Sequence, residues 1–305
     1  MPNTLAHLGL SGLLTRSLCR DADLRWVYVG AIIPDLPWIL QRTLRVFLPS
    51  LDVLDLRLYA VVQATLFCSL ILSACFSLLS PLPRKTFFIL SFGSFFHLIV
   101  DAFQIKWANG VHLFAPFDWH LLQFAFVWPE RLPTYGVTLL GLIYVVFTWR
   151  KIALKPFPLS FTKQQSLLVS LLLGGLYFLL PLFLMGAAEA KDNHFVQTLR
   201  NLESRKGKVV EFDRAFYRHG SPEGTLQIFT GESLQVVGLR LDHSSSISVR
   251  GIFLDANTVD VKAYELHRGD FRDNATYLGL LLIVVLWACS LFKMWRARWR
   301  SVNKL

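Results

Sequence analysis

The chain has 305 residues, 53% of them hydrophobic, and a mean hydropathy of +0.45, which excludes a small single module and an ordinary soluble domain and puts membrane proteins first. Its 31 Lys and Arg outnumber 21 Asp and Glu. No nucleic-acid motif accompanies that excess, so it is read as topology or contact with anionic lipid, with no nucleic acid as partner.

The opening "MPNTLAHLGLSGLL" has no basic leader, and His7, Ser11 and Gly12 break its apolar run, so it is not read as a cleavable signal. Residues 4 to 15 predict a short amphipathic helix, capped by Asn3 or Thr4. The next apolar segment, "WVYVGAIIPDLPWIL", carries Pro34 and Pro37. Prolines three apart point to a broken or interfacial helix.

Five windows then read as membrane spans: 58–80, 86–103, 135–149, 166–187 and 277–292. Between the fourth and fifth the composition turns polar. There "HFVQTLRNLES" suggests a helix, and "KVVEF", "TLQIFTG", "SLQVVGL", "SISVRGIFL" and "TVDVKAYEL" suggest five strands. The expected architecture is mainly α: a polytopic membrane helical bundle of about five transmembrane helices with N-terminal interfacial helices, plus a small β-rich domain of the OB kind. Residues 1–187 form the membrane-embedded domain, 188–274 the β-rich domain, and 275–305 a last span and basic tail.

Lys293, Arg296, Arg298, Arg300 and Lys304 in the tail, Arg150, Lys151, Lys155 and Lys163 in the third link, and Arg84 and Lys85 in the first assign those segments to the cytoplasm. The N-terminus and residues 188–274 are then extracytoplasmic. Arg16, Arg20, Arg25, Arg42, Arg45 and Arg57 pull the other way. The four cysteines, Cys19, Cys68, Cys75 and Cys289, read as small buried hydrophobes and not as a disulfide framework.

Chemistry concentrates in "FFHLIVDAFQIKWANGVHLFAPFDWH", residues 95 to 120. His97 and Asp101 stand at i and i+4, on one helix face, where imidazole and carboxylate can grip one ion. A carboxylate at membrane depth costs several kcal/mol unless paired, coordinated or wet, which makes function its default reading. The plain alternative is a His–Asp pair that only holds helices together. Asp35 after Pro34 also reads as a helix start, His7 as an interfacial histidine, and His112, Asp118 and His120 as solvated loop groups. Taken as a set, His7, Asp35, His97, Asp101 and His112 fall on one side of the membrane. Histidines with carboxylates suit zinc or a similar divalent ion, which activates water for hydrolysis.

"MPNTLAHLGL", "VGAIIPDLPW" and "HLIVDAFQIKWANGVHLFAPF" resemble, in order and position, the YdjM-like inner-membrane metal-dependent hydrolases, which are similar in turn to zinc-dependent phospholipase C. The resemblance covers residues 1 to 120. It implies that His7, Asp35, His97 and Asp101 hold a metal, with His112 as an extra ligand; in a hydrolase of this kind a metal-bound hydroxide would attack, with Asp35 or Asp101 as the candidate catalytic base. From the phospholipase it implies a phosphoester of membrane lipid or another envelope substrate. One departure stands out, since Leu58 and Gln63 occupy positions where the family's His-Arg-x-x-x-His-Ser motif has histidines. A second class of function follows from that loss: a non-catalytic scaffold whose 188–274 domain binds an envelope protein. Spans three to five carry too few polar residues to line a transport path.

Overall fold

The structure, a computed structural model, describes residues 3–153, 159, 164–220, 224–267 and 269–302. Lys155, Lys163 and Lys304, used above for orientation, lie outside the described residues. Among the described residues, four helices are long and apolar enough to cross a membrane: α6 (Pro83–Ala102), α7 (Leu132–Ala153), α8 (Gln164–Ala190) and α10 (Phe271–Val302). They correspond to the second through fifth predicted spans.

The first predicted span is not one helix. It is a pair, α4 (Val53–Gln63) and α5 (Leu66–Ser77), bent by 68°. The break has a local cause: the Thr65 hydroxyl accepts the backbone N–H of Cys68 and caps α5. Buried Gln63 turns toward α8, where its Nε2 donates to the Tyr177 carbonyl at 3.4 Å.

The N-terminal helices also differ from expectation. α1 (Thr4–Leu18) and α2 (Leu24–Ile32), expected as peripheral amphipathic or broken helices, pack into the core of the bundle. Glycines permit this. A Cβ on Gly9 would sit 2.1 Å from Gly141 Cα, and one on Gly141 would sit 2.2 Å from the Leu5 carbonyl oxygen, so α1 and α7 cross with backbones almost touching. Gly30 and Gly93 do the same for α2 and α6. Caps satisfy the helix starts: Asn3 Oδ1 accepts from Ala6 N while its Nδ2 donates to Thr138 Oγ1 at 2.7 Å.

α1 and α2 form a hairpin whose turn carries Asp21, bonded to Lys85 at the start of α6. Beyond the turn, buried Arg25 pairs with Asp23 at 2.6 Å and reaches Ser290 of α10 at 3.2 Å. Arg20 and Arg25 are therefore at the Lys85 end of the bundle, opposite Arg42, Arg45 and Arg57. Two of the six arginines that oppose the charge pattern in the sequence thus share the end that carries Lys85. A 3₁₀ turn at Ile33–Asp35 then leads into α3 (Leu36–Phe47), as the two prolines predict.

Past α8, the short helix α9 (Val196–Arg200) leads into a closed five-stranded barrel. Its strands are β1 (Val209–Arg218), β2 (Thr225–Gln227), β3 (Ser233–Val237), β4 (Ser245–Phe253) and β5 (Thr258–Leu266). Their order around the barrel is β1-β2-β3-β5-β4, with β3 and β5 parallel. Alternating apolar residues such as Val210, Phe212, Leu234, Val236, Ile247 and Val249 fill its core. Buried Arg205 fastens the barrel to α9, with Nη1 and Nη2 on Glu232 at 2.6 and 3.0 Å and Nη2 on the Leu199 carbonyl.

Polar ties join the barrel to the helical half and to residues 104–131. Arg45 Nη2 donates to the Phe229 carbonyl at 2.9 Å, Ala108 N to Glu211 Oε2 at 2.7 Å, and Arg131 to Glu265 at 2.7 Å. Glu130 pairs with Arg214. The C-terminal ends of α6 and α8 and the N-terminal ends of α7 and α10 therefore share the barrel's side.

Candidate metal centre and the chamber beside it

Three elements bring the site together. α1 supplies His7, the 3₁₀ turn supplies Asp35, and α6 supplies His97 and Asp101 one turn apart. His7 Nε2 lies 3.2 Å from Asp101 Oδ1, and His97 Nε2 lies 3.4 Å from Asp35 Oδ1 and 3.7 Å from Asp101 Oδ2. The two imidazoles stack, with ring centres 3.8 Å apart. His7, His97 and Asp101 each offer a ligand atom within 4.8 Å of the other two, and all three are buried. Asp35 touches this group through His97 and is not one of the three.

Hydrogen bonding separates these residues by role. His97 Nδ1 meets the Ala31 carbonyl at 2.6 Å, which fixes the ring and turns Nε2 toward the carboxylates, as the outer contacts of metal-bound histidines do. Neither nitrogen of His7 makes a hydrogen bond, nor does Asp101 Oδ1, despite their proximity. Buried polar atoms without partners are costly, and these converge on one point. Burial drives the His7 pKa down to about 4, helped by the neighbouring His97 and opposed by Asp101 and Asp35. A neutral imidazole with an open lone pair is what a cation requires. Against this stands Lys106, whose ammonium sits 3.0 Å from Asp101 Oδ2 and already supplies a positive charge.

His97, Asp35 and Asp101 line a chamber of about 300 Å³ between the helices and the barrel, with α3, α4, residues 106–112 and β1 as further walls. His7 lies behind it and is not part of the lining. The chamber wall also includes His112, outside the group of three, whose two ring nitrogens make no hydrogen bond. Burial lowers the His112 pKa to about 4; the Trp119 and His120 backbones oppose that shift without completing a bond. Asp118 and His120 do not join the site: they pair with each other at 2.5 Å on the surface. Leu58 and Gln63 do not line the chamber either.

Sequence reasoning missed Lys106, Arg57, His194 and Arg214. Arg214 reaches the chamber through a β-bulge, where the register of β1 against β4 shifts between Phe212 and Ala215 and Arg214 adopts φ 53°. Ser248 Oγ stabilises that bulge by accepting from Arg214 N at 3.2 Å and donating to Asp213 Oδ1 at 2.9 Å. His194 follows the fourth span directly in "KDNHF", and that position, on the site's own side, was its one signal. Comparison with family models, curated proteins and solved structures finds no match for this chain.

Proposed function

We propose that this chain is an integral-membrane, metal-dependent hydrolase whose site faces away from the cytoplasm. The observation that carries the reading is the buried convergence of His7, His97 and Asp101, with unsatisfied polar atoms aimed at one another. Zinc suits two imidazoles and a carboxylate, with Asp35, 3.4 Å from His97 Nε2, beside them to take a proton. When bound, the ion supplies Lewis-acid activation of water and of the scissile group. The chain's own residues do the rest: Ala31 orients His97, Asp35 or Asp101 accepts the proton, and the barrel limits bulk water. A phosphoester of a lipid or another envelope molecule is the substrate class, as the resemblance of residues 1–120 implies.

Placement at the inner membrane with the barrel extracytoplasmic rests on Lys85 and the α10 tail at the far end from the barrel. The barrel's strand order and single parallel pair support the OB kind. Metal content of the detergent-purified chain, compared with His97→Ala and Asp101→Ala, tests the site. About one bound ion, lost in both variants, is expected; negligible metal in all three would end the hydrolase reading.

One observation favours a second reading. The Lys106–Asp101 pair balances the carboxylate without any ion, as in a non-catalytic scaffold whose barrel binds an envelope protein. Such a protein would carry no metal in the same measurement.

A further inference from the structure

The chamber holds more positive charge than its ion site uses. Among the described residues, six cationic side chains line it against four carboxylates. Lys106 is matched by Asp101 and Arg214 by Glu130, whereas Arg42, Arg45 and Arg57 meet no carboxylate among the described residues. Arg57 is the most committed of these. Its guanidinium carbon lies 4.3 Å from the ring centre of Phe229 and 5.4 Å from that of Trp38, and its Nε is buried without a hydrogen-bond partner. Aromatic faces hold the guanidinium in place while its N–H groups stay available.

Two buried imidazoles stand in the same wall. His112 is 5% exposed and His194 is 6% exposed, their ring centres are 6.4 Å apart, and His194 lies 5.6 Å from Trp38. Both His112 nitrogens and His194 Nε2 lack a hydrogen-bond partner. His194 is held there at a conformational cost: Asp192, His194 and Phe195 all have φ between 50° and 58°, and none is glycine. Each such residue carries backbone strain, and strain of this kind gathers at functional sites. The Asp192 carboxylate braces the turn by accepting from Thr198 N and Oγ1.

We propose that Arg57, His112 and His194, with Arg42 and Arg45 at the exposed edge, form a subsite for a phosphate group beside the ion site. Several donors spread around a small space match a tetrahedral dianion with many acceptor oxygens, and a guanidinium binds phosphate through two parallel hydrogen bonds. The inference rests on the hydrolase reading for calling that phosphate part of a substrate, but the subsite itself requires no ion. The phosphate belongs to a phospholipid headgroup or to a soluble phosphoester, and the two sources share this recognition.

The test is calorimetric titration of the EDTA-treated, detergent-purified full chain with inorganic phosphate. Saturable binding is expected, weakened at least tenfold in Arg57→Met and in His194→Gln and unchanged in Arg131→Met, which removes a surface arginine paired with Glu265. No saturable binding, or binding as tight as the parent's in both Arg57→Met and His194→Gln, overturns the subsite. Should Arg57→Met fail to fold, Arg57→Lys keeps the charge without the planar fork, and a tenfold loss is again expected. Phosphate binding by a chain that carries no metal would leave the subsite standing and the hydrolase reading fallen. Bound metal without phosphate binding would do the reverse. Nanodiscs containing phosphatidic acid, set against phosphatidylcholine alone, separate the sources: displacement of phosphate marks a headgroup site, no displacement a soluble ligand, and both keep the subsite.

Discussion

Lys106→Met asks which cation Asp101 is arranged to meet. The Nζ–Oδ2 distance is 3.0 Å and the side chains are 6% and 10% exposed. At an effective dielectric of about 20 the attraction at that separation is about 5 kcal/mol, and removing one partner of a buried pair costs roughly 3–5 kcal/mol because the other charge is stranded. The metal-free variant should therefore be about 3–5 kcal/mol less stable than the parent. If Asp101 is a metal ligand, the same change clears a competitor from it. Zinc at about a thousand times its dissociation constant contributes about 4 kcal/mol, enough to restore most of the loss. Asp101→Asn also breaks the pair and has no carboxylate left for the ion, so zinc should not rescue it. Thermal unfolding in detergent, with EDTA or with added zinc, gives the comparison. Equal zinc responses in the two variants, or none in either, would refute the reasoning.

Other outcomes follow from the packing and the titrating groups. Gly141→Leu should prevent assembly of α1 against α7, since even a Cβ would lie 2.2 Å from the Leu5 carbonyl oxygen; a loss of monodisperse protein on size exclusion is expected, with Gly136→Leu, which meets nothing within 4 Å, tolerated. Acidification should destabilise the fold between pH 6.5 and about 4. His112 has its pKa lowered from 6.5 to about 4 by burial, so the unfolded chain takes up a proton in that window that the native state refuses. This one group accounts for up to about 3 kcal/mol, and His112→Asn should flatten the dependence in a pH series of melting curves. Arg205→Met should strand Glu232 and free the Leu199 and Ala256 carbonyls, costing roughly 3–5 kcal/mol. Limited proteolysis should then cut the barrel while leaving the helical half intact.

Where one residue's surroundings decide its role, the sequence told little. The four long helices and the five strands were legible because each repeats a pattern over ten or more residues or alternates between punctuating glycines and asparagines. His97 and Asp101 were legible because spacing within a helix is also spacing in space. α1 reads as amphipathic and α2, from Pro34 and Pro37, as broken or interfacial, whereas both pack into the bundle with polar Thr4, Ser11, Thr15 and Arg25 buried. Asn3–Thr138 and Arg25–Ser290 contacts, which no hydropathy window sees, help make that burial tolerable. The break after Gln63 has a local sign, a threonine cap inside an apolar run, that length alone overrode. His194 needed three left-handed residues and Arg214 a bulge, and neither conformation follows from residue type.

The chamber lies at the seam between apolar helices and a polar barrel, and that location bears on how an amphiphile would reach it. Pulling a lipid with two sixteen-carbon chains wholly out of a bilayer costs on the order of 25 kcal/mol at ~0.8 kcal/mol per methylene. For the lipid substrate proposed above, a chamber at this level would take the head while the tails stay in hydrocarbon, so that encounter would become a two-dimensional search along the leaflet and desorption would drop out of the rate.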